Sequence, residues 1–191
     1  MRNLRHASQS ARAGNECGIV AYCLAMTGRI GRHRAAVLGL LLSGLAQACP
    51  KDADAVLLPL NALRAQGAVC GARGAFPAAT AVHWDTTLEA MARRHAQWLV
   101  SVGELRHHNA AGQTLAGRAS AAGYRYAHIG ENLAHGQRTL DTVLRAWVGS
   151  ETHCTTLFGA TYTDAALACE VAADGRPLWV MVLARPGSAR R

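Results

Sequence analysis

Aromatic residues make up only 5% of the 191-residue chain and charged residues 17%. The formal charge of +8 is not gathered into a basic stripe with interleaved aromatics, which excludes a nucleic-acid footprint. The excess sits at the ends: Arg2, Arg5, Arg12, Arg29, Arg32 and Arg34 upstream, Arg185, Arg190 and Arg191 at the tail. Attraction to anionic lipid or cell-wall polymer follows from such charge, without specificity. No GxGxxG or P-loop is present, so no phosphate cradle is expected. The metalloprotease run HExxH and the nucleophile elbow GxSxG are also missing. No internal repeat is found, and the longest apolar run near the N-terminus is too short to span a bilayer.

That short run has a meaning of its own. Residues 26–34 form a basic stretch, 35–45 an apolar one, and Ala46-Gln47-Ala48 a small-x-small cleavage site, the order of a secretory signal. Residues 1–25 read as a leader or a misplaced start, 26–48 as the signal peptide, 49–56 as a linker, 57–185 as one domain, and 186–191 as a disordered basic tail. No transmembrane span is expected in the mature chain. Cleavage after Ala48 makes Cys49 the first mature residue, which also opens a lipid-anchored reading through that thiol. Plain export to a periplasmic or extracellular space is the preferred expectation.

Four cysteines follow the signal: Cys49, Cys70, Cys154 and Cys169. An even number in an exported chain suggests two disulfides. Of the three possible connectivities, Cys154–Cys169 closing a short loop and Cys49–Cys70 tying down the N-terminus are favoured.

Leucines at 57, 60 and 63 give a helix over 56–66, with Asn61 and Arg64 on its other face. Residues 67–79 read as a loop. Thr86 and Glu89 are placed to form a capping box for a helix to Val102, with Leu88, Met91, Ala92, His95, Ala96 and Leu99 inward. A short helix over 114–122 stops at Gly123, and Thr139 caps a helix to Val148. Residues 149–164 look irregular. The Asp174-Gly175 turn separates a weakly alternating run from the apolar run 177–184, a hairpin whose second strand is buried on both faces. Helices first and a hairpin last argue for α+β.

The residues able to carry chemistry lie in one ordered block: His107 and His108, the run Gly130-Glu131-Asn132-Leu133-Ala134, and Trp147 with Ser150 and His153. A carboxylate and separated imidazoles can converge to bind a metal or move protons. Asn132 is expected to hold Glu131 by a backbone bond in a loop. Ser150 beside His153 lacks a triad, and Cys154 is better read as a disulfide partner. His95 reads as a satisfied core histidine, His128 and His135 as surface, and the tryptophans as core.

This order resembles the CAP superfamily, the cysteine-rich secretory, antigen 5 and pathogenesis-related domain, in its bacterial branch. The resemblance runs from Leu57 to Ala184 and rests on GENLA in combination with W-x-x-S-x-x-H. It implies an α-β-α sandwich around a small antiparallel sheet, with a cleft of two histidines and two acids. By motif these are His107, Glu131, His153 and Asp164, the last standing where the family usually has glutamate; Glu151 and Glu170 are substitutes. The resemblance further implies a secreted binding or interaction module, with lipid or sterol, a cell-envelope component or a divalent metal as ligand. His107 and His153 are the candidate zinc ligands. The alternative is a metal-assisted hydrolase of peptide or envelope polymer with Glu131 as base.

Overall fold

Asp52 opens the first helix of the computed structural model, which describes residues 49–188. The leader, the signal-like segment and residues 189–191 of the tail lie outside the described residues. The Asp52 carboxylate accepts from the Ala55 amide, so α1 (Ala53–Arg64) starts inside the segment read as linker. A free N-terminal amide is satisfied wherever a short oxygen side chain can reach it, and Asp52 reaches first.

A small hairpin follows, β1 (Ala68–Val69) and β2 (Ala75–Phe76). Next come β3 (His83–Trp84) and α2 (Thr86–Val102). The cap of α2 is Asp85, whose carboxylate accepts from the Leu88 amide at 2.8 Å. The expected Thr86–Glu89 box does not form, because Glu89 instead accepts from the Trp84 indole at 2.9 Å. Gly103 ends α2 in the left-handed conformation, φ +70°. The chain continues through α3 (Leu115–Ala121), β4 (Tyr126–His135), α4 (Leu140–Val148), α5 (Glu151–Leu157), β5 (Asp164–Val171) and β6 (Pro177–Pro186). Helix α5 occupies a stretch read as irregular: seven residues rich in threonine give too few apolar positions to reveal a helical period.

The main sheet runs β3-β5-β6-β4. Its long pairings are antiparallel, while the two-residue β3 joins β5 in parallel. Strand β6 is central and buried through its first eight residues, which is why its sequence is continuously apolar. Alternation sends Trp179, Met181 and Leu183 to a core shared with α1, α4 and α5. Leu178, Val180, Val182 and Ala184 go to a second core shared with α2 and α3. Helices on both faces of the sheet make the α-β-α sandwich.

The disulfides correct the expected pairing. Cys49 bonds Cys169, and Cys70 bonds Cys154, each with Cα atoms 5.5 Å apart. The short-loop logic fails because β5 carries Cys169 about 17 Å from the strand's start beside α5, at roughly 3.3 Å per residue. Cys154, buried on α5, meets the small hairpin instead. The sulfur of Cys49 is engaged, so the lipid-anchored reading loses its attachment atom. Peptide mapping without reduction should recover these two links. A Cys70→Ser, Cys154→Ser variant should lose about 2–4 kcal/mol in urea unfolding; recovery of a 154–169 peptide pair would refute the connectivity.

Candidate functional site

Three consecutive residues of β4 point to three tasks. Strand β4 is the edge of the sheet, and its register with β6 sets Gly130 opposite Leu183, Glu131 opposite Val182 and Asn132 opposite Met181. Glu131 therefore faces the α2–α3 layer, and Gly130 and Asn132 the α4–α5 layer. Gly130 is glycine because a Cβ there would lie 2.6 Å from the Tyr162 hydroxyl and 2.9 Å from Thr156 Cγ2. Asn132 donates its amide to the carbonyl of His153 at 3.0 Å. It sits in a strand rather than a loop, and it fixes the helix that carries His153 rather than Glu131.

Glu131 is 2% exposed at its side chain. One oxygen accepts from Arg118 Nη2 at 2.5 Å, and the other from His107 Nδ1 at 2.9 Å. Arg118 lies on α3, 6% exposed at its side chain, and also donates to the backbone carbonyl of His107 at 2.7 Å. The cation thus holds both the carboxylate and the loop that delivers the imidazole. His107, not His108, is the partner, as counting from Gly112 indicated. Its Nδ1–H faces the carboxylate, which leaves Nε2 toward solvent on a side chain 62% exposed.

His153 lies across the edge of β4 on α5, with Nδ1 2.9 Å from the Ser150 hydroxyl. Burial lowers its pKa first, and the neighbouring His107 lowers it further. Three segments thus bring these residues to one strand edge, His107 and Glu131 on one side and His153 on the other.

Asp164 does not join them. It accepts from the Tyr124 hydroxyl at 2.7 Å and from the Thr163 hydroxyl at 3.1 Å, two strands away from β4. Burial and then Asp164 push the Tyr124 phenol above its ordinary value, so it stays a donor. The two substitutes are elsewhere as well. Glu151 clamps the small hairpin through the Ala72 amide and Arg73, and Glu170 meets Gln97. Among the described residues no group of three or more histidines, cysteines or acids is placed to hold a metal ion. A closed three-ligand zinc site does not fit these side chains, since Glu131 already has both oxygens on protein partners. Cys154 is in a disulfide and is not a nucleophile.

Of the remaining expectations, Trp147 and Trp179 are core, donating to the carbonyls of Leu133 and Gln137. His128 is exposed on β4, and His135 stands 3.5 Å from Asp174. Sequence reasoning missed Arg118: its isolation from other charges along the chain gives no sign of the buried pair.

His95 is 2% exposed, and its Nε2 meets the carbonyl of Arg106 at 2.9 Å. Burial lowers its pKa, against the opposing pull of Glu131. Two histidines are thus held below the usual value of about 6.5. As pH falls, the unfolded chain binds protons before the folded one, so stability is present above about pH 6.5 and is lost below it. Unfolding free energy should drop between about pH 6.5 and 5, with His95 contributing up to about 1.4 kcal/mol per pH unit. Denaturation curves across that window check this, and His95→Gln should flatten the slope. A wild-type stability that is level through the window would contradict it.

The model of the cysteine-rich secretory protein family, CAP, matches residues 60–183. No curated protein sequence matches the chain significantly. An outer surface protein from Borrelia burgdorferi shares the fold at TM-score 0.57 and 20% identity, over 71% of this chain and 96% of that one. An extracellular protein containing a SCP domain from Bacillus anthracis gives TM-score 0.53 at 17% identity, over 72% of this chain. The match spans only 45% of that longer protein.

Proposed function

Since the chain belongs to the cysteine-rich secretory protein family, CAP, we propose that it is an exported, non-catalytic interaction module. Its cleft presents the imidazoles of His107 and His153 to a partner in the cell envelope or the extracellular space. The observation that carries this reading is the state of Glu131. A carboxylate 2% exposed and held on both oxygens by Arg118 and His107 is a structural anchor. A general base needs a lone pair aimed at substrate or water, and Glu131 has both oxygens turned to protein. The exposed Nε2 of His107, by contrast, is preorganised at no further cost in ordering, which suits recognition. Export is supported by the signal-like segment at 26–48 and by two disulfides, which persist in oxidising compartments.

Zinc calorimetry on the oxidised protein beside its His107→Ala, His153→Ala variant tests the reading. The expected result is no stoichiometric binding that depends on these histidines, together with no turnover of peptide or cell-wall substrate. Stoichiometric binding lost in the variant, with turnover lost in Glu131→Gln, would replace the module with the metal-assisted hydrolase.

A further inference from the structure

The two disulfides of this chain have different surroundings. Cys70 and Cys154 are 0% exposed, and their bond lies in the core shared with α1, α4 and α5. Cys49 and Cys169 are only half-buried. A thiolate opens a disulfide by reaching one of its sulfurs, so access sorts the two links. The cause of the difference lies in the sheet. Strand β3 covers β5 only at Asp164 and Ala165, while β6 lies along the whole of its other side. Among the described residues no strand pairs the outer edge of β5 from Ala166 to Val171. Cys169 stands on that open edge, and Cys49 reaches it from the segment ahead of α1.

Little else ties that segment to the strand. Pro50 has no amide hydrogen, and among the described residues no backbone hydrogen bond joins residues 49–51 to the sheet. Opening the bond leaves α1 in place, since Val56 and Leu60 are buried in the core and Asp52 keeps the Ala55 amide. A cavity of about 240 Å³ is lined by both cysteines, with Trp84 and Leu167 among its apolar residues. Four charged side chains also line it. Asp52 is turned to its helix cap, and Glu89 accepts from the Trp84 indole and from Arg93. Lys51 is exposed and lies two residues from Cys49, so its ammonium is the charge that meets an incoming molecule.

We propose that the Cys49–Cys169 bond is a thiol-exchange site, which takes a small thiol bearing a carboxylate and carries it as a mixed disulfide on Cys49. The incoming thiolate attacks Cys49 Sγ. The new sulfur–sulfur bond forms as the bond to Cys169 breaks, and the electron pair leaves on Cys169 Sγ, which takes a proton from water. A second thiol attacking the mixed disulfide releases the small disulfide and leaves Cys49 as a thiol, so no other oxidant or reductant enters. Cys49 is the sulfur attacked because Cys169 packs against the core cluster, whereas Cys49 lies on the untied segment. Lys51 draws the carboxylate of the incoming molecule and favours its thiolate. The site is independent of the interaction reading of the cleft, and the buried Cys70–Cys154 bond holds the fold while exchange proceeds.

The probes are 3-mercaptopropionate, an anionic thiol, and cysteamine, a cationic one of similar size. The whole oxidised protein is treated with each in the absence of denaturant, trapped with N-ethylmaleimide and mapped by mass spectrometry. Chymotrypsin cuts at Leu157, Phe158 and Tyr162 and so separates Cys154 from Cys169. Mercaptopropionate should appear on Cys49 and maleimide on Cys169, about tenfold or more faster than any label on Cys70 or Cys154, whose bond opens only when the core does. Lys51→Glu, at an exposed position, should slow mercaptopropionate about threefold and quicken cysteamine, with an unchanged circular dichroism spectrum. No adduct without denaturant, equal labelling of the two links, an adduct on Cys169 instead of Cys49, or the same effect of Lys51→Glu on both thiols would each overturn the assignment.

Discussion

Replacing Arg64 with methionine should cost about 3–5 kcal/mol of unfolding free energy, a large share of what a domain of this size possesses. Arg64 is fully buried, and among the described residues its partners are carbonyls alone. Nε and Nη2 donate to Thr80 at 3.2 and 3.0 Å, Nη1 to Leu157 at 2.5 Å, and Nη1 and Nη2 to Gly159 at 3.3 Å. Leu157 is the last residue of α5, so the guanidinium sits where that helix leaves its carbonyls without amides. Arg64 is itself in the last turn of α1, so its side chain ties the end of that helix to the end of α5. Burial lowers its pKa, yet the guanidinium remains charged, as its high intrinsic value ensures. Methionine fills most of the volume and makes none of the bonds, leaving several buried carbonyls unpaired. Arg64→Lys keeps the charge and loses the fork, and should cost an intermediate amount. Urea unfolding measures both; a loss below about 1 kcal/mol for methionine would show that water replaces the guanidinium freely.

Arg64 also marks a limit of sequence reading. The sequence reading set it on the face away from the leucines, as its charge suggests. That placement is wrong: Arg64 follows Leu60 by four residues, and Val56, Leu60 and Arg64 form the buried stripe of α1, with the guanidinium reaching the 157–162 turn. Asn61, next to Leu60, closes a ring of two bonds with the backbone of Val82, at 2.9 and 3.0 Å. Polar residues that bond backbone far along the chain, here 93 residues away for Leu157, carry no local period. Apolar faces do, which is why the inward stripe of α2, the Thr139 cap and the buried β6 were legible. The disulfides failed for the same reason as Arg64: their partners are set by layer packing and not by loop length.

The grouping of His107 with Glu131 was legible to the extent that it is motif. His107, Glu131 and His153 were placed by their spacing in recognisable runs, and the sandwich brings them to one strand edge. Asp164 was placed by a degraded run, and its hydroxyl partner Tyr124 could not be foreseen, since Tyr124 comes from a separate turn after α3. What Glu131 does was not legible at all. Its role is decided by Arg118, thirteen residues upstream, through a contact that only the packing of α3 on β4 creates.

That contact makes the strongest claim on the site. Glu131→Gln preserves shape, so a residue kept for catalysis would tolerate it with little loss of stability, and functional residues often give some back when replaced. A residue kept as an anchor would not. The substitution removes the negative member of a pair in which Arg118 is 6% and Glu131 2% exposed, and strands a buried cation. The expected cost is about 3–5 kcal/mol. Arg118→Met alone should cost a comparable amount, for the stranded carboxylate. The double variant should be more stable than the two single losses combined, because neither charge is then left alone, and a coupling of about 1–3 kcal/mol is the signature. His107→Ala, at an exposed side chain, should cost under about 1 kcal/mol. If Glu131→Gln unfolds like wild type while the double variant is additive, the pair is not an anchor, and Glu131 regains its candidacy as the base of a hydrolase.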